Sequence, residues 1–291
     1  MILSLAASGD AFSQGIRYLQ FNLFAMDLQS QNLRLFVAGA TGFTGRHLVK
    51  LACASEIHTT AHIRPDSTRS EQWIALFKQA GARVDQSIFS LKALETTLSK
   101  LQPTHVFCLI GTTQRRRLRA LLKGTKAGSY EQVDYGLTKL LLDATRASAP
   151  DARFVWISAT GASPHAFNRY LRIRAKTEKA ISESGLNYTI VRPSFITGPD
   201  RDESRPLEQV GAWLVDRCLK LFACLGLDHL VKRFSSMHAS ELARILLERC
   251  SNAEPPHHLM KSHELYELSH VRYLETKAIL NKRTAEDSKP V

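Results

Sequence analysis

Residues Leu33–Leu51, LRLFVAGATGFTGRHLVKL, constrain the chain more than any other stretch. Leu35-Phe36-Val37-Ala38 is a short apolar run, the pattern of a strand buried on both faces. It empties into Gly39-Ala40-Thr41-Gly42-Phe43-Thr44-Gly45, after which Leu48, Val49 and Leu51 recur at helical spacing. Strand, glycine turn and helix in that order are the setting in which spaced glycines imply a bound dinucleotide. Gly39 permits the tight turn, Gly42 lets backbone approach a pyrophosphate, and Gly45 lets the helix pack closely on the strand. The first turn of that helix offers N–H groups and a positive dipole end to phosphate. Thr41, Phe43 and Thr44 share the turn and join the three glycines as candidate cofactor contacts.

The spacing G-x-x-G-x-x-G resembles the fingerprint of the extended and atypical short-chain dehydrogenase/reductases. The rest of the chain agrees with alternating strands and helices. Ile57–Ile63 reads as a second strand, Glu71–Ala80 as a helix ended by Gly81, and Arg83-Val84-Asp85 as the start of a third strand. Leu91–Leu101 is a helix and His105–Ile110 a fourth buried strand, followed by the small turn Gly111-Thr112-Thr113. Tyr130–Ala144 has helical periodicity with Val133, Leu137, Leu140, Leu141 and Ala144 on one side. Phe154–Ile157 is strand five, a helix runs from Tyr170 to Ser184 with Gly185 as its cap, and Leu186–Pro193 is strand six. Met237–Cys250 opens a last helix, and Tyr266-Glu267-Leu268 reads as an edge strand.

These elements predict an α/β fold: a Rossmann-like doubly wound parallel sheet with a small C-terminal helical lid. Residues 32–250 form the nucleotide-binding domain, with 194–240 supplying the lid and 251–291 a tail. Within the lid, Leu207–Leu230 is amphipathic and covers the substrate side, docks a partner or touches a membrane surface. Residues 1–31 have no place in the sheet. Either Met26 is the true start or the segment is a frayed extension or short surface helix. A targeting signal is disfavoured, because no positive residue precedes the apolar Met1–Ala7 and Arg17 is the only basic residue before Arg34.

The composition, 44% apolar and 23% charged over 291 residues, fits one large α/β domain or two small ones. No uncharged apolar run nears 18 residues, so no transmembrane helix is expected. Five scattered cysteines without a C-x-x-C pair argue against a disulfide framework or zinc site and fit reduced thiols in the cytoplasm. The net charge of +12 suits nucleic acid, an anionic membrane or a phosphorylated ligand. No nucleic-acid motif accompanies it, so an ordinary basic surface, partly used by a phosphate-bearing cofactor, is the reading. The most basic stretch, Gln114–Gly128, leaves the ligand-binding edge of the sheet. It clamps an anionic substrate, touches an acidic surface or is a solvated loop.

The residue at the end of the second strand meets the adenosine ribose in nucleotide folds. An acid there favours NAD, whereas Arg64 here suits a 2′-phosphate, with Ser67 or Arg69 in support, and points to NADP(H) over NAD(H). Ser158 stands at the tip of strand five and Tyr170 twelve residues on, at the next helix start, which is the reductase arrangement. That chemistry needs a hydroxyl to hold the substrate oxygen and a phenol to pass a proton. A phenol with a pKa near ~10 needs a nearby cation to do so at neutral pH. The family places a lysine four residues after the tyrosine; this chain has Arg174 there. Arginine is a cation that does not release its proton, and Lys176, about 120° off that face, is a poor substitute.

The turn after strand four, the string YLRIRAKTE, SGLNYTIVRP and above all RPSFITGPDRDESRP resemble the Tat-interacting oxidoreductase (metastasis-suppressor) family of atypical, NADPH-binding reductases. The similarity covers about Leu33 to Cys250. It implies that Gly111, Thr112, Ile196 and Arg205 lie on the cofactor and that Tyr170 is the proton donor. Three functions follow from it. The first is an NADPH-dependent oxidoreductase acting on a small-molecule carbonyl through Ser158, Tyr170 and Arg174. The second is a non-catalytic NADPH-binding regulator or assembly partner of another protein. The third and weakest is a nucleotide-sugar epimerase. The chain is expected to be a monomer or homodimer with no specific nucleic-acid partner and no metal. His257, His258, His263 and His270 match no ligand spacing.

Overall fold

The computed structural model describes residues 32–67, 69–111, 130–198, 235–251 and 255–270. Strands β1 (Arg34–Ala38), β2 (His58–His62), β3 (Arg83–Asp85), β4 (His105–Cys108), β5 (Arg153–Ile157), β6 (Tyr188–Val191) and β9 (His257–Met260) form one sheet. Its order is β3-β2-β1-β4-β5-β6-β9 and every pairing is parallel. The order reverses between β1 and β4, which is where an open α/β sheet leaves a crevice for a ligand. A second, two-stranded parallel sheet pairs β7 (Phe195–Thr197) with β8 (Ser236–His238).

Alternation along each strand explains why both faces are covered. Leu35 and Val37 of β1 enter one core with Phe107 and Val155. That core is closed by α1 (Phe43–Ala54), by Phe77 of α2 (Ser70–Gln79) and by Leu242 and Leu246 of α6 (Ala239–Ser251). Phe36 and Ala38 point the other way, into a core with Cys108, Phe154 and Trp156. This second core is roofed by Leu94 and Leu98 of α3 (Leu91–Leu101), Leu141 of α4 (Thr138–Ser148) and Ile181 of α5 (Arg169–Ser182). Each such side chain is worth roughly 1.5–3 kcal/mol on burial.

Three expectations are corrected. Tyr266–Leu268 is not an edge strand but part of a helix over 262–270, here α7. The edge strand is β9, in a stretch whose Pro255-Pro256-His257-His258 reads as a break; so the sheet continues beyond Cys250 into the segment taken for a tail. The two prolines stop just before the ladder begins, and Pro256 still offers its carbonyl to the Tyr188 N–H at 2.8 Å. Met237 belongs to β8, and its helix starts at Ala239.

The long helix before β5 also opens differently from its periodicity. Glu131–Leu137 is π-helical before it tightens into α4. A π turn widens the helix and shifts which side faces inward. Val133, Leu137 and Leu140 are only half-buried, whereas Asp134, Thr138, Leu141 and Leu142 are buried.

Candidate functional site

The glycine turn is built as its spacing predicts. Gly39 has φ +83°, and a Cβ there would stand 2.6 Å from the carbonyl of Leu109, just beyond β4. A Cβ on Gly45 would stand 2.2 Å from the Gly39 oxygen, so only glycine lets α1 pack onto the turn. Gly42 donates its N–H to the Gly39 carbonyl at 2.9 Å and begins α1, whose first turn carries no acidic side chain and no side-chain cap. This is a backbone cradle shaped for a phosphate.

Phe43 is touched from the far side by the chain after β7, where a Cβ on Gly198 would lie 2.9 Å from the Phe43 ring. Ile196, in β7, is half-buried and packs against the first core. Thr41 is half-buried in the turn and Thr44 buried in the first turn of α1. Arg64 leaves the end of β2 into solvent, with 59% of its side chain exposed and Asp66 at 3.4 Å. Thr112, Arg205, the basic stretch 114–128 and the amphipathic stretch 207–230 lie outside the described residues.

On the other side of β4 the predicted catalytic residues converge. Asn168 accepts the Tyr170 N–H at 2.9 Å and caps α5, which fixes Tyr170 as the second residue of the helix. Ser158 follows β5; its N–H is held by the Val191 carbonyl at 2.7 Å. Its Oγ is buried and has no hydrogen-bond partner among the described residues. A buried hydroxyl left unpaired costs about 1–3 kcal/mol, a cost that a bound carbonyl oxygen would remove.

Arg174 joins the two. It is 6% exposed, and its Nη1 donates to the Ile157 carbonyl at 2.8 Å, one residue before Ser158. Its guanidinium lies 4.9 Å from the Tyr170 ring centre and 5.0 Å from that of Trp156. Its Nη2 donates to Asp134 Oδ1 at 2.8 Å, and Asp134 is fully buried. A Cβ on Gly111 would meet this pair at 3.3 Å from the Arg174 Nη2 and 3.6 Å from the Asp134 oxygen, so the turn after β4 rests directly on it. Lys176 points elsewhere, to Glu131 at 2.5 Å and over the Tyr135 ring at 4.2 Å.

Sequence reasoning missed Asp134, Trp156 and Tyr130, whose ring packs 5.2 Å from that of Tyr170. The only signal for Asp134 was an acid on an amphipathic helix, which ordinarily marks the solvent face. Beside the Ser158 loop, the Thr160 N–H donates to the Pro193 carbonyl at 3.0 Å. Pro193 in turn lines a cavity of about 240 Å³ with Ser194, Met237, Ser262, Tyr266 and His270.

Comparison with known proteins follows the same outline. A family described as NAD(P)H-binding matches residues 39–212, more than half of the chain. The protein FMP52, mitochondrial, of Candida glabrata is 30% identical over 173 residues, 58% of this chain and 66% of that protein. Rat HTATIP2 is 26% identical over 191 residues, covering 65% and 71%. It bears out the resemblance to the Tat-interacting group of atypical reductases. The photosystem II assembly factor Ycf39 of Cyanophora paradoxa is 29% identical over 160 residues, 55% of this chain and 44% of that one. This chain therefore spans about two thirds of the fungal relative and under half of the algal one. Among solved structures, a Burkholderia cenocepacia protein proposed to be an epimerase superposes with a TM-score of 0.52 at 16% identity, covering 80% of this chain and 78% of its own. At that identity the likeness speaks for the fold alone.

Proposed function

The chain belongs to the NAD(P)H-binding family, and from that premise we propose that it is an NADPH-dependent reductase of a small-molecule carbonyl. The observation that carries the reading is the buried Ser158 Oγ, unpartnered among the described residues, which follows the Ile157 carbonyl held by Arg174 while the Arg174 guanidinium faces the Tyr170 ring. The glycine cradle fits a pyrophosphate, since added side chains at Gly39 and Gly45 would collide with backbone. Gly39, Thr41, Gly42, Phe43, Thr44 and Gly45 would hold the dinucleotide, with Gly111 and Ile196 along its path. The dinucleotide, when bound, would supply the hydride for the carbonyl carbon. Ser158 donates a hydrogen bond to the carbonyl oxygen and orients it. Tyr170 passes its hydroxyl proton to that oxygen, completing the alcohol, and regains a proton from solvent.

Selection of NADPH over NADH is part of the proposal and rests on Arg64, which is free to turn from the exposed Asp66 to a 2′-phosphate. The compartment is also proposed. Scattered thiols favour the cytoplasm, while the name of the fungal relative places that protein in the mitochondrion.

One observation favours a second reading, a nucleotide-binding regulator of another protein. Arg174 is paired by Asp134 and does not replace the proton-relaying lysine. The algal relative, by its name, assists assembly.

Titration with NADPH and NADH, followed by nucleotide fluorescence, tests the shared premise. NADPH is expected to bind at least tenfold tighter, and Arg64→Ala to remove most of that preference. Binding of neither nucleotide would overturn both readings. Reduction of an aromatic aldehyde that Tyr170→Phe abolishes would support the reductase. Tight NADPH binding without turnover of a carbonyl panel would leave the regulator.

A further inference from the structure

Strands β1, β2 and β3 end level with one another. Ala38 pairs with His62, and His62 with Asp85. The Ile63 N–H continues that ladder to the Asp85 carbonyl at 2.9 Å, so Arg64 leaves β2 beside the end of β3. Neighbouring strands stand about 4.8 Å apart. The ligand edge of the sheet therefore runs in two short steps from the glycine turn, past Arg64, to the turn after β3. A dinucleotide with its pyrophosphate at the first and its ribose at the second brings its purine to the third.

That turn directs its acid onto itself. Asp85 accepts the Ser87 hydroxyl at Oδ2, 2.7 Å away, and the Ser87 N–H at Oδ1, 3.4 Å away. His62 is buried, with the Phe36 and Phe89 ring centres 6.1 and 5.2 Å from its own. Its Nε2–H donates to the Ser87 carbonyl at 3.1 Å, and the same nitrogen faces Asp85 Oδ2 at 3.9 Å. Hydroxyl, N–H and carbonyl of Ser87 are thus all held from within the protein. What stands exposed here is Ile88, at 71%, Leu91 at the start of α3, at 43%, and Gln86.

A carboxylate only accepts hydrogen bonds, so it would single out the 6-amino group of adenine from the 6-oxo group of hypoxanthine. A side-chain amide both donates and accepts, and a branched alkyl group does neither. We propose that the purine of the dinucleotide is held by its ring face, against Ile88, and not by its 6-position, so that the site takes a hypoxanthine dinucleotide in place of the adenine one. The proposal rests on the nucleotide-binding reading. Asp85 and His62 are positioning residues in it: they shape the turn that holds out Ile88 and do not touch the base.

The test is a fluorescence titration of the full chain with NADPH and with reduced nicotinamide hypoxanthine dinucleotide phosphate, which carries the same nicotinamide. Wild type is expected to bind the two within about twofold of each other, since neither alkyl group nor amide tells the bases apart. Ile88→Ser is expected to weaken both by the same factor, about fivefold or more. Because Ile88 is exposed, that variant should leave thermal unfolding without nucleotide unchanged. Asp85→Asn keeps an oxygen for Ser87 and is expected to leave the ratio of the two affinities where it was. A site that reads the amino group would lose about tenfold or more with the analogue, and that gap would overturn the proposal. So would full affinity for both nucleotides in Ile88→Ser, because the base would then not rest there. Where Asp85→Asn does not fold, the wild-type ratio and Ile88→Ser decide. Binding of neither nucleotide would overturn the nucleotide-binding reading itself, a result distinct from a gap between the two.

Discussion

His105 opens β4 with its ring buried and its Nδ1 3.1 Å from the Thr104 hydroxyl. Burial, helped by the Arg153 guanidinium across the sheet, lowers its pKa to about 4 from 6.5. Its folded value lies below its unfolded value, so between the two the unfolded chain binds the extra proton. Stability is then complete above about pH 6.5 and is lost as pH falls from there toward 4, by about 2 kcal/mol at pH 5. Burial also lowers the pKa of His62, which adds loss of the same sign. Urea unfolding at neutral and mildly acid pH should show this slope, and His105→Gln should flatten most of it.

At the level of elements, the end of the described chain is structural. Met260 pairs with Val191 across β9 and β6 and is 1% exposed; Leu265 of α7 is buried against the same core. Met260→Ala and Leu265→Ala are each expected to cost about 2–4 kcal/mol in urea unfolding, while a change at exposed Lys261 costs almost nothing. The glycine turn was legible in the sequence because its constraint is local: Gly39 and Gly45 stand within one turn of the chain, and a Cβ on Gly45 would strike the Gly39 carbonyl. β1, β4 and β5 were legible because strands buried on both faces must be apolar throughout. β9 was not, since an edge strand needs a neighbour on one side only and His257-His258 carries no apolar signature. Asp134 was not, because its partner lies forty residues away and a π turn carries it inward. Tyr170, Ser158 and Arg174 were found together through spacing, but what Arg174 binds is a tertiary fact.

For the whole molecule, a dinucleotide laid across the C-terminal ends of the strands binds the folded chain and not the unfolded one. At a hundred times its Kd it stabilises by about 2.7 kcal/mol, or about 5–10 °C in Tm for a domain of this size. NADPH should produce that shift in thermal unfolding and Gly45→Ala should abolish it, since a methyl group there displaces the Gly39 carbonyl from the cradle. The order of the sheet has a different consequence, for synthesis. β6 finishes at Val191, but the strand that covers its outer edge begins only at His257. At ribosomal rates of about 5–20 residues per second, that edge waits roughly 3–13 s for its partner. In that interval β6 presents unpaired backbone to any nascent or neighbouring strand. Substitutions that slow the arrival of β9 should therefore reduce the yield of soluble chain more than they reduce the melting temperature of the chains that finish.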